Sequence, residues 1–204
     1  MRHLLQRFVL AAVLALIPAL ASAEPLSTEA AMADRVLGDA NAPVTMFDFS
    51  SLTCPHCADF HKETLPRLKE KYIDTGKLKL VFRDFPLDRN ALHAAMLARC
   101  ADPKRYYGFL DVLFKSQGTW GRAADPLKAL AQIGALGGVS QADFDACMAN
   151  KELQDALLQR MLEAQKKYLV QSTPTFILND GAEKVDGAQP IEKFQEAIDR
   201  LLQK

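Results

Sequence analysis

The 204 residues include 25 lysines and arginines against 25 aspartates and glutamates, so the chain has no net charge at pH 7. Hydrophobic residues make up 49% and charged residues 25% of the sequence, which is typical of a folded protein and argues against an intrinsically disordered chain. The charge balance and the lack of a basic run argue against a nucleic-acid-binding protein. The length suits one domain, or one domain with a large insertion.

The first 23 residues have the features of a cleavable signal peptide. Basic residues precede an apolar stretch at 8–20, and the tripeptide at 21–23 (Ala-Ser-Ala) matches a small-residue cleavage site. The apolar stretch is shorter than the ~20 residues that a membrane-spanning helix needs. We therefore expect export, removal of residues 1–23, and a mature domain formed by residues 24–204.

The predicted elements start with a lead-in of small and polar residues at 24–41. Residues 44–50 (VTMFDFS) are β-branched and aromatic, which predicts a strand buried on both faces. Apolar residues then recur at helical spacing and predict a helix over 54–74. Residues 78–82 (LKLVF) predict a second strand.

Helices dominate the next stretch, about residues 87–170. Asp102-Pro103 and Asp125-Pro126 each combine an N-cap residue with a proline at the first helical position. The chain then returns to a strand at 175–178, a short strand near 184–185 and a closing helix at 191–202. Because strands lie at both ends of the chain with helices between them, the order predicts an α/β fold with an all-helical insertion.

The motif Cys54-Pro55-His56-Cys57 directly follows the first predicted strand and opens the predicted helix. A C-x-x-C motif alone can bind zinc, close a structural clip or carry out thiol exchange. At a helix N-terminus, unpaired backbone N–H groups and the helix dipole favour negative charge. Pro55 suits the first helical position, and a protonated His56 adds positive charge. We therefore expect the pKa of Cys54 to fall below the free value of about 8.5.

Cys57 lies three residues later and is predicted to face the core, where burial favours the neutral thiol. Cys54 then tends to ionise and Cys57 to stay protonated, which suits thiol–disulfide exchange. An exposed Cys54 is attacked, and a buried Cys57 resolves the intermediate. Stabilising the Cys54 thiolate stabilises the reduced protein, so the motif predicts an oxidant that transfers its disulfide to substrates. This redox-active disulfide is the only predicted redox group, with no metal and no other cofactor.

Residues 47–57 (FDFSSLTCPHC) resemble the DsbA family of bacterial disulfide oxidoreductases, in which CPHC is the usual motif. The order of strand, CPHC helix, helical insertion, Thr173-Pro174, strand and final helix is similar to that family over nearly the whole mature chain. The resemblance implies a thioredoxin-like fold and a periplasmic enzyme that introduces disulfide bonds into exported proteins. It implies two kinds of partner, namely unfolded or reduced cysteine-containing proteins and a membrane quinone reductase of the DsbB type for reoxidation.

The resemblance implies functional roles for residues at two further positions. Asp48, six residues before Cys54, matches the acid that the family buries beneath the active site, where it is placed to relay a proton to or from Cys57. Thr173-Pro174 matches the family's cis-proline loop, whose backbone can pair with an extended substrate. Threonine before this proline is similar to the isomerase-type relatives, so a disulfide isomerase or reductase is an alternative.

The remaining cysteines, Cys100 and Cys147, fall in the helical insertion. Four cysteines allow three pairings. If Cys54 and Cys57 pair with each other, Cys100 and Cys147 are left to form a structural disulfide between two helices, and similar second disulfides occur in some DsbA-like branches. Two separate buried thiols are the alternative.

Two other side chains each have a structural and a functional interpretation. His61 is predicted to lie on the helix surface. The alternative is a non-enzymatic protein that holds a metal through Cys54, Cys57 and a nearby histidine. Trp120 is predicted to lie in a loop, either packed on the insertion or at the rim of a substrate groove.

Isomerase-type relatives usually carry an N-terminal dimerisation domain. Residues 24–35 are too few to form such a domain, and we expect a monomer.

Overall fold

A mixed five-stranded sheet lies at the centre of the structure, a computed structural model that describes residues 26–203. The strands are β1 Val36–Leu37, β2 Val44–Ser50, β3 Leu78–Asp84, β4 Thr175–Leu178 and β5 Glu183–Asp186. They are arranged in the order β1-β3-β2-β4-β5, in which only β2 and β3 run parallel. The predicted signal peptide at 1–23 lies outside the described residues.

Helices cover the sheet and fill the interval between β3 and β4. They are α1 Thr28–Met32, α2 Pro55–Asp59, α3 Leu65–Leu68, α4 Arg89–Cys100, α5 Tyr106–Lys115, α6 Gln117–Trp120, α7 Pro126–Leu136, α8 Gln141–Ala149, α9 Lys151–Tyr168 and α10 Ile191–Leu202. Within residues 26–203, none is long and apolar enough to cross a membrane. Helices α2 and α3 belong to one continuous helix over 55–73, here called the CPHC helix, which widens to π-helical geometry at Phe60–Thr64 and Lys69–Ile73.

The helical insertion consists of α4 to α9, which confirms the predicted fold class. The two Asp-Pro pairs act at helix starts as predicted: Asp125 accepts the Lys128 backbone N–H at 2.9 Å at the start of α7. Asp102 accepts the Lys104 N–H at 2.9 Å and begins a 3-10 turn that leads into α5. The insertion packs directly on the sheet, because one continuous hydrophobic core contains residues of both.

Alternate residues of β2 face opposite sides of the sheet. Asp48 points towards the CPHC helix, where it reaches His61. Phe47 and Phe49 point the other way and pack against Tyr168 at the end of α9. The first face belongs to the main core and the second to a smaller hydrophobic cluster, so the centre of β2 is enclosed by helices on both sides.

The N-terminal lead-in contains regular structure, so the prediction for residues 28–37 is wrong. Ser27 accepts the Ala30 N–H and caps α1, and β1 adds an antiparallel edge to β3. Arg99 from α4 donates to the Ala31 carbonyl at 3.3 Å, which ties the segment to the insertion. Small residues gave no periodic signal for α1, which is held by tertiary contacts that local propensity does not encode.

Trp120 is the last residue of α6 and is 1% exposed, so the predicted loop is also wrong. Its indole N–H donates to the Leu113 carbonyl at 2.8 Å. Glycines at 118 and 121 favoured a turn, but burial of a large indole with a satisfied N–H outweighs their weak helix propensity. Trp120 is therefore a core residue of the insertion and does not line a groove.

Candidate active site

Cys54 is the N-cap residue of α2. Its backbone is extended (φ −81°, ψ 120°), which turns the side chain back over the first helical turn. The sulfur accepts the backbone N–H of Cys57 at 3.3 Å, as a capping oxygen does in other helices. Pro55 occupies the first helical position, where the missing N–H has no carbonyl to bond. The sequence motif therefore places one sulfur at the positive end of the helix.

The loop before β4 covers Cys54. The Thr173-Pro174 peptide is cis, and the Cys54 thiol lies 3.5 Å from the Thr173 carbonyl oxygen, to which it donates. As a result Cys54 is only 6% exposed, which corrects the expectation of an exposed sulfur. The sequence could not supply this cover, because residues 54 and 173 meet only through the antiparallel pairing of β2 with β4.

The pKa of Cys54 falls to about 6 from an ordinary value of 9.0. The largest cause is the hydrogen bond from the Cys57 side chain, and burial acts against it. The Thr173 side chain and the backbone N–H groups of Cys57 and His56 lower the pKa further. The lowered pKa was predicted, but the leading contribution of the thiol–thiol hydrogen bond was not.

His56 contributes to this environment through its backbone N–H. Its side chain is 77% exposed and lies 3.8 Å from the Asp59 carboxylate, one helical turn away on the surface. Exposed charges at this distance interact weakly in water. The structure therefore gives the His56 imidazole a surface position, and the predicted contribution of its charge stays a prediction.

Cys57 is completely buried beneath Cys54. Burial raises the pKa of Cys57 well above its ordinary value of 9.0, and the hydrogen bond and charge of Cys54 raise it further. Cys54 and Cys57 are both free thiols, so the structure represents the dithiol form. The pair thus combines one sulfur that ionises readily with one that holds its proton.

Gln117 of α6 supports the motif from the insertion, and the sequence gave no signal for it. Its side-chain amide donates to the carbonyls of Leu52 and Cys54, both at 2.9 Å. These two carbonyls flank the turn that precedes the CPHC helix. Because Gly118 follows and a loop was predicted, Gln117 had no expected partner.

We expect Gln117→Leu to lower the free energy of unfolding by about 1–2 kcal/mol, because two partly buried carbonyls lose their donor. Denaturant unfolding measures the change. Gln165→Leu, which alters an exposed residue of α9, is the matched control and should change stability by less than about 0.5 kcal/mol. Equal effects of the two substitutions would show that the amide does not support the motif.

Asp48 and His61 form a buried pair below the CPHC helix. Asp48 is 0% and His61 8% exposed, and His61 Nε2 lies 2.8 Å from Asp48 Oδ2. Ser50 donates its hydroxyl to the other carboxylate oxygen. The imidazole stacks on Phe114 of α5, with ring centroids 4.0 Å apart. The carboxylate thus has a partner on each oxygen, as burial of such a group requires.

The prediction that His61 lies on the helix surface is therefore wrong. A signal was available, because His61 lies four residues after Cys57 and so shares the buried face of the helix. A buried acid on the neighbouring strand also needs a partner. The predicted surface position of His61 left the buried Asp48 without such a partner.

The sequence and structure of the chain match a known family. Residues 30–200 match the family model described as Thioredoxin. The crystal structure of alpha-DsbA1 from Wolbachia pipientis superposes with a TM-score of 0.75 at 36% identity, over 82% of this chain and 90% of that one. The chain belongs to the DsbA-like branch of the thioredoxin family.

Relatives of this DsbA-like chain extend beyond Wolbachia. A putative protein-disulfide oxidoreductase of Rickettsia typhi is 33% identical over 171 residues, and a probable disulfide bond formation protein D of Bacillus anthracis is 29% identical over 175 residues. The matches cover 83% and 82% of this chain. The matched region spans 62% of the Rickettsia protein and 78% of the Bacillus protein.

The DsbA-like chain carries a second cysteine pair away from the CPHC motif. Cys100 at the end of α4 and Cys147 in α8 form a disulfide with Cα atoms 6.1 Å apart. The bridge links two insertion helices that are 47 residues apart in sequence. Closing a loop of this length restricts the unfolded chain and so stabilises the folded insertion.

Across residues 26–203, no three histidine, cysteine or acidic side chains are arranged to hold a metal ion. His61, which follows Cys57 by one turn, is hydrogen-bonded to Asp48. The two motif sulfurs contact each other and the Thr173 region. The site therefore brings together Cys54, Cys57 and the cis-proline loop, with the Asp48–His61 pair beneath it.

Proposed function

We propose that this protein is a periplasmic thiol:disulfide oxidoreductase that introduces disulfide bonds into exported proteins through a Cys54–Cys57 disulfide. The observation that carries the proposal is the position of the Cys54 sulfur. It caps a helix, accepts the Cys57 N–H at 3.3 Å and lies 3.5 Å from the Thr173 carbonyl, beside the loop whose backbone can pair with an extended chain. Thiol exchange needs a stabilised thiolate beside a resolving thiol, and this arrangement provides both.

The reaction starts from the Cys54–Cys57 disulfide. A substrate thiolate attacks the Cys54 sulfur, the bond between the two protein sulfurs breaks, and Cys57 leaves and takes up a proton. The mixed disulfide joins the substrate to Cys54. A second substrate thiolate attacks the substrate sulfur, and Cys54 leaves as a thiolate. The substrate loses two electrons, and the protein reaches the dithiol form seen in the structure.

The properties of Cys54 favour oxidation of the substrate. With a pKa of about 6, Cys54 is about nine-tenths ionised at pH 7 and is a good leaving group in the second step. Stabilising this thiolate stabilises the reduced protein relative to the disulfide form, which makes the disulfide a stronger oxidant. A DsbB-type membrane partner that passes electrons to quinone would restore the disulfide.

Cys57 needs a proton when the disulfide opens, because its buried thiolate is strongly disfavoured. Asp48 and His61 are the buried ionisable pair on the same side of the sheet, with His61 one helical turn after Cys57. We assign to Asp48 the relay of this proton, with His61 and Ser50 holding its carboxylate in place.

Reduced and unfolded substrates suit the site because recognition is expected to use the backbone. Thr173 is partly exposed and directly precedes the cis-proline, so its backbone is placed to pair with an extended peptide whose cysteine reaches Cys54. Backbone pairing reads sequence weakly, so many cysteine-containing exported proteins would be substrates.

Two refolding assays separate the proposed oxidase from the alternative isomerase. The disulfide form of the protein is mixed in one assay with a reduced two-cysteine substrate, and its dithiol form in the other with a scrambled multi-disulfide substrate. An oxidase forms disulfides rapidly in the first assay and rescues little in the second. The reverse pattern would replace the proposal with an isomerase, for which Thr173 before Pro174 is the supporting feature.

The pH dependence of stability follows from the lowered pKa of Cys54. In the reduced protein the folded-state pKa is about 6 and the unfolded value is 9.0, so between these values only the unfolded chain holds the proton. The free energy of unfolding of the reduced form should therefore rise with pH from about 6 to 9, and this contribution is lost as the pH falls through 6. Denaturant titrations of reduced wild type and Cys54→Ser across this range test the slope, which the variant should lack.

A further inference from the structure

A basic cavity lies between the first turns of α4 and α9. Its volume is about 330 Å³, and its walls are formed by Arg89, Leu92, His93, Lys151 and Gln154. Arg89 and His93 are four residues apart on α4, so their side chains share one face of that helix. Lys151 and Gln154 face them from α9. The lining thus contains two permanent cations, an imidazole and an amide.

No acidic side chain among the described residues lines this cavity or pairs with its cations. Its lining includes no carboxylate, and within residues 26–203 neither Arg89 nor Lys151 forms an ion pair. Burial and then the charge of Arg89 lower the pKa of His93. An unneutralised cluster of donors in a concave site attracts an anionic group.

The position of Asp88 explains why it leaves Arg89 unpaired. One Asp88 carboxylate oxygen caps α4 by accepting the Ala91 N–H at 2.8 Å. The other accepts the hydroxyl of Thr53 at 2.7 Å. Both oxygens are therefore engaged by other donors.

The hydrogen bond between Thr53 and Asp88 links the start of α4 to the residue before Cys54. Thr53 is the residue before Cys54, and Asp88 is the residue before Arg89, so the 2.7 Å bond joins the two neighbourhoods directly. Cys54 is reached by protein substrates in the proposed function. A polypeptide that contacts Cys54 therefore runs close to the cavity if it continues in the direction of α4.

We infer that this cavity binds a carboxylate of a polypeptide while that polypeptide exchanges disulfides with Cys54, so that substrates and partners with an acidic residue near the reacting cysteine are preferred. The inference deepens the proposed function and rests on it. The guanidinium of Arg89 suits a bidentate bond to a carboxylate, Lys151 adds a point charge, and the Gln154 amide supplies a further donor. Because the cations are near the surface, they act mainly on the rate and selectivity of association.

Peptide binding tests the inference without requiring exchange. Fluorescence anisotropy is measured with labelled, end-blocked peptides in which serine replaces the cysteines and glutamate or glutamine occupies the flanking positions. Wild type should bind the glutamate peptide about three-fold or more tighter, and added salt should reduce this ratio because screening weakens exposed charges. A glutamine peptide with a free C-terminal carboxylate distinguishes a terminal carboxylate from a side-chain carboxylate.

The double variant Arg89→Gln/Lys151→Gln should bring the ratio between the glutamate and glutamine peptides to about one. The control Lys71→Gln/Lys77→Gln removes the same charge near the start of β3, at the end of the sheet opposite Cys54, and should keep the wild-type ratio. Thermal unfolding of each variant checks that the fold is retained.

Two results would overturn the inference: equal binding of the two blocked peptides by wild type, or an unchanged ratio in the Arg89→Gln/Lys151→Gln variant. The corresponding cysteine peptides are then followed for disulfide formation. A preserved glutamate preference without disulfide formation would reject the proposed function and keep the carboxylate site, whereas exchange without the preference would do the opposite.

Discussion

Replacing Cys54 with serine is expected to reduce disulfide formation to the rate of the reaction without protein. Cys54 carries the only free sulfur near the surface among the described residues, because Cys57 is 0% exposed and cannot be reached by a substrate thiolate. Cys57→Ser should have a different result. Its Cys54 thiolate can still attack a small disulfide and displace one thiolate, but no second thiol resolves the mixed disulfide.

Non-reducing electrophoresis and intact mass measure the two outcomes after incubation with oxidised glutathione. Cys57→Ser should gain the mass of one glutathione, whereas Cys54→Ser should gain none. Wild type is the control and should pass to its internal disulfide without accumulating the adduct. A stable adduct on Cys54→Ser, or disulfide formation catalysed by that variant, would exclude Cys54 as the sulfur that exchanges with substrates.

Removing one member of the Asp48–His61 pair should cost about 3–5 kcal/mol of folding free energy. His61→Leu leaves a fully buried Asp48 carboxylate without the partner at 2.8 Å and removes the ring that stacks on Phe114. Replacing both residues by leucine removes the stranded charge together with its partner. The double variant should therefore lose less stability than the sum of the two single variants.

Denaturant unfolding of the two single variants and the double variant gives this coupling energy directly. His93→Leu is a matched control, since it makes the same change at a half-buried histidine of α4 that has no hydrogen-bond partner among residues 26–203. Its effect should stay within about 0.5 kcal/mol. Additive effects of Asp48→Leu and His61→Leu would mean that the two side chains do not depend on each other.

Local patterns were sufficient for the elements that frame the site. The bounds of β2, β4 and α10 agree with the predicted strands and helix, because each combines a distinct periodicity with turn residues at its ends. The CPHC motif was predicted at a helix start for a physical reason, and the capping bond of Cys54 has that geometry. The cis geometry at Thr173-Pro174 came from the family resemblance and from no local pattern.

Residues that depend on distant partners were predicted poorly. His61 is buried because Asp48 lies opposite it on β2, and Gln117 binds the Cys54 carbonyl across 63 positions of sequence. Trp120 follows the same rule, since its burial depends on how α6 packs in the insertion. In each case one side chain has a specific partner in space, and single-sequence periodicity contains no information about that partner.

The ionisation of Cys54 is the decisive property of the proposed thiol exchange. The ultraviolet absorbance of the thiolate is followed in the reduced protein as the pH is lowered, with Cys54→Ser as the blank. A single transition with a midpoint at about 6, absent from the variant, is the predicted result. A midpoint close to the ordinary thiol value of 9.0 would contradict it, because a helix-capping sulfur with that pKa is not stabilised as an anion.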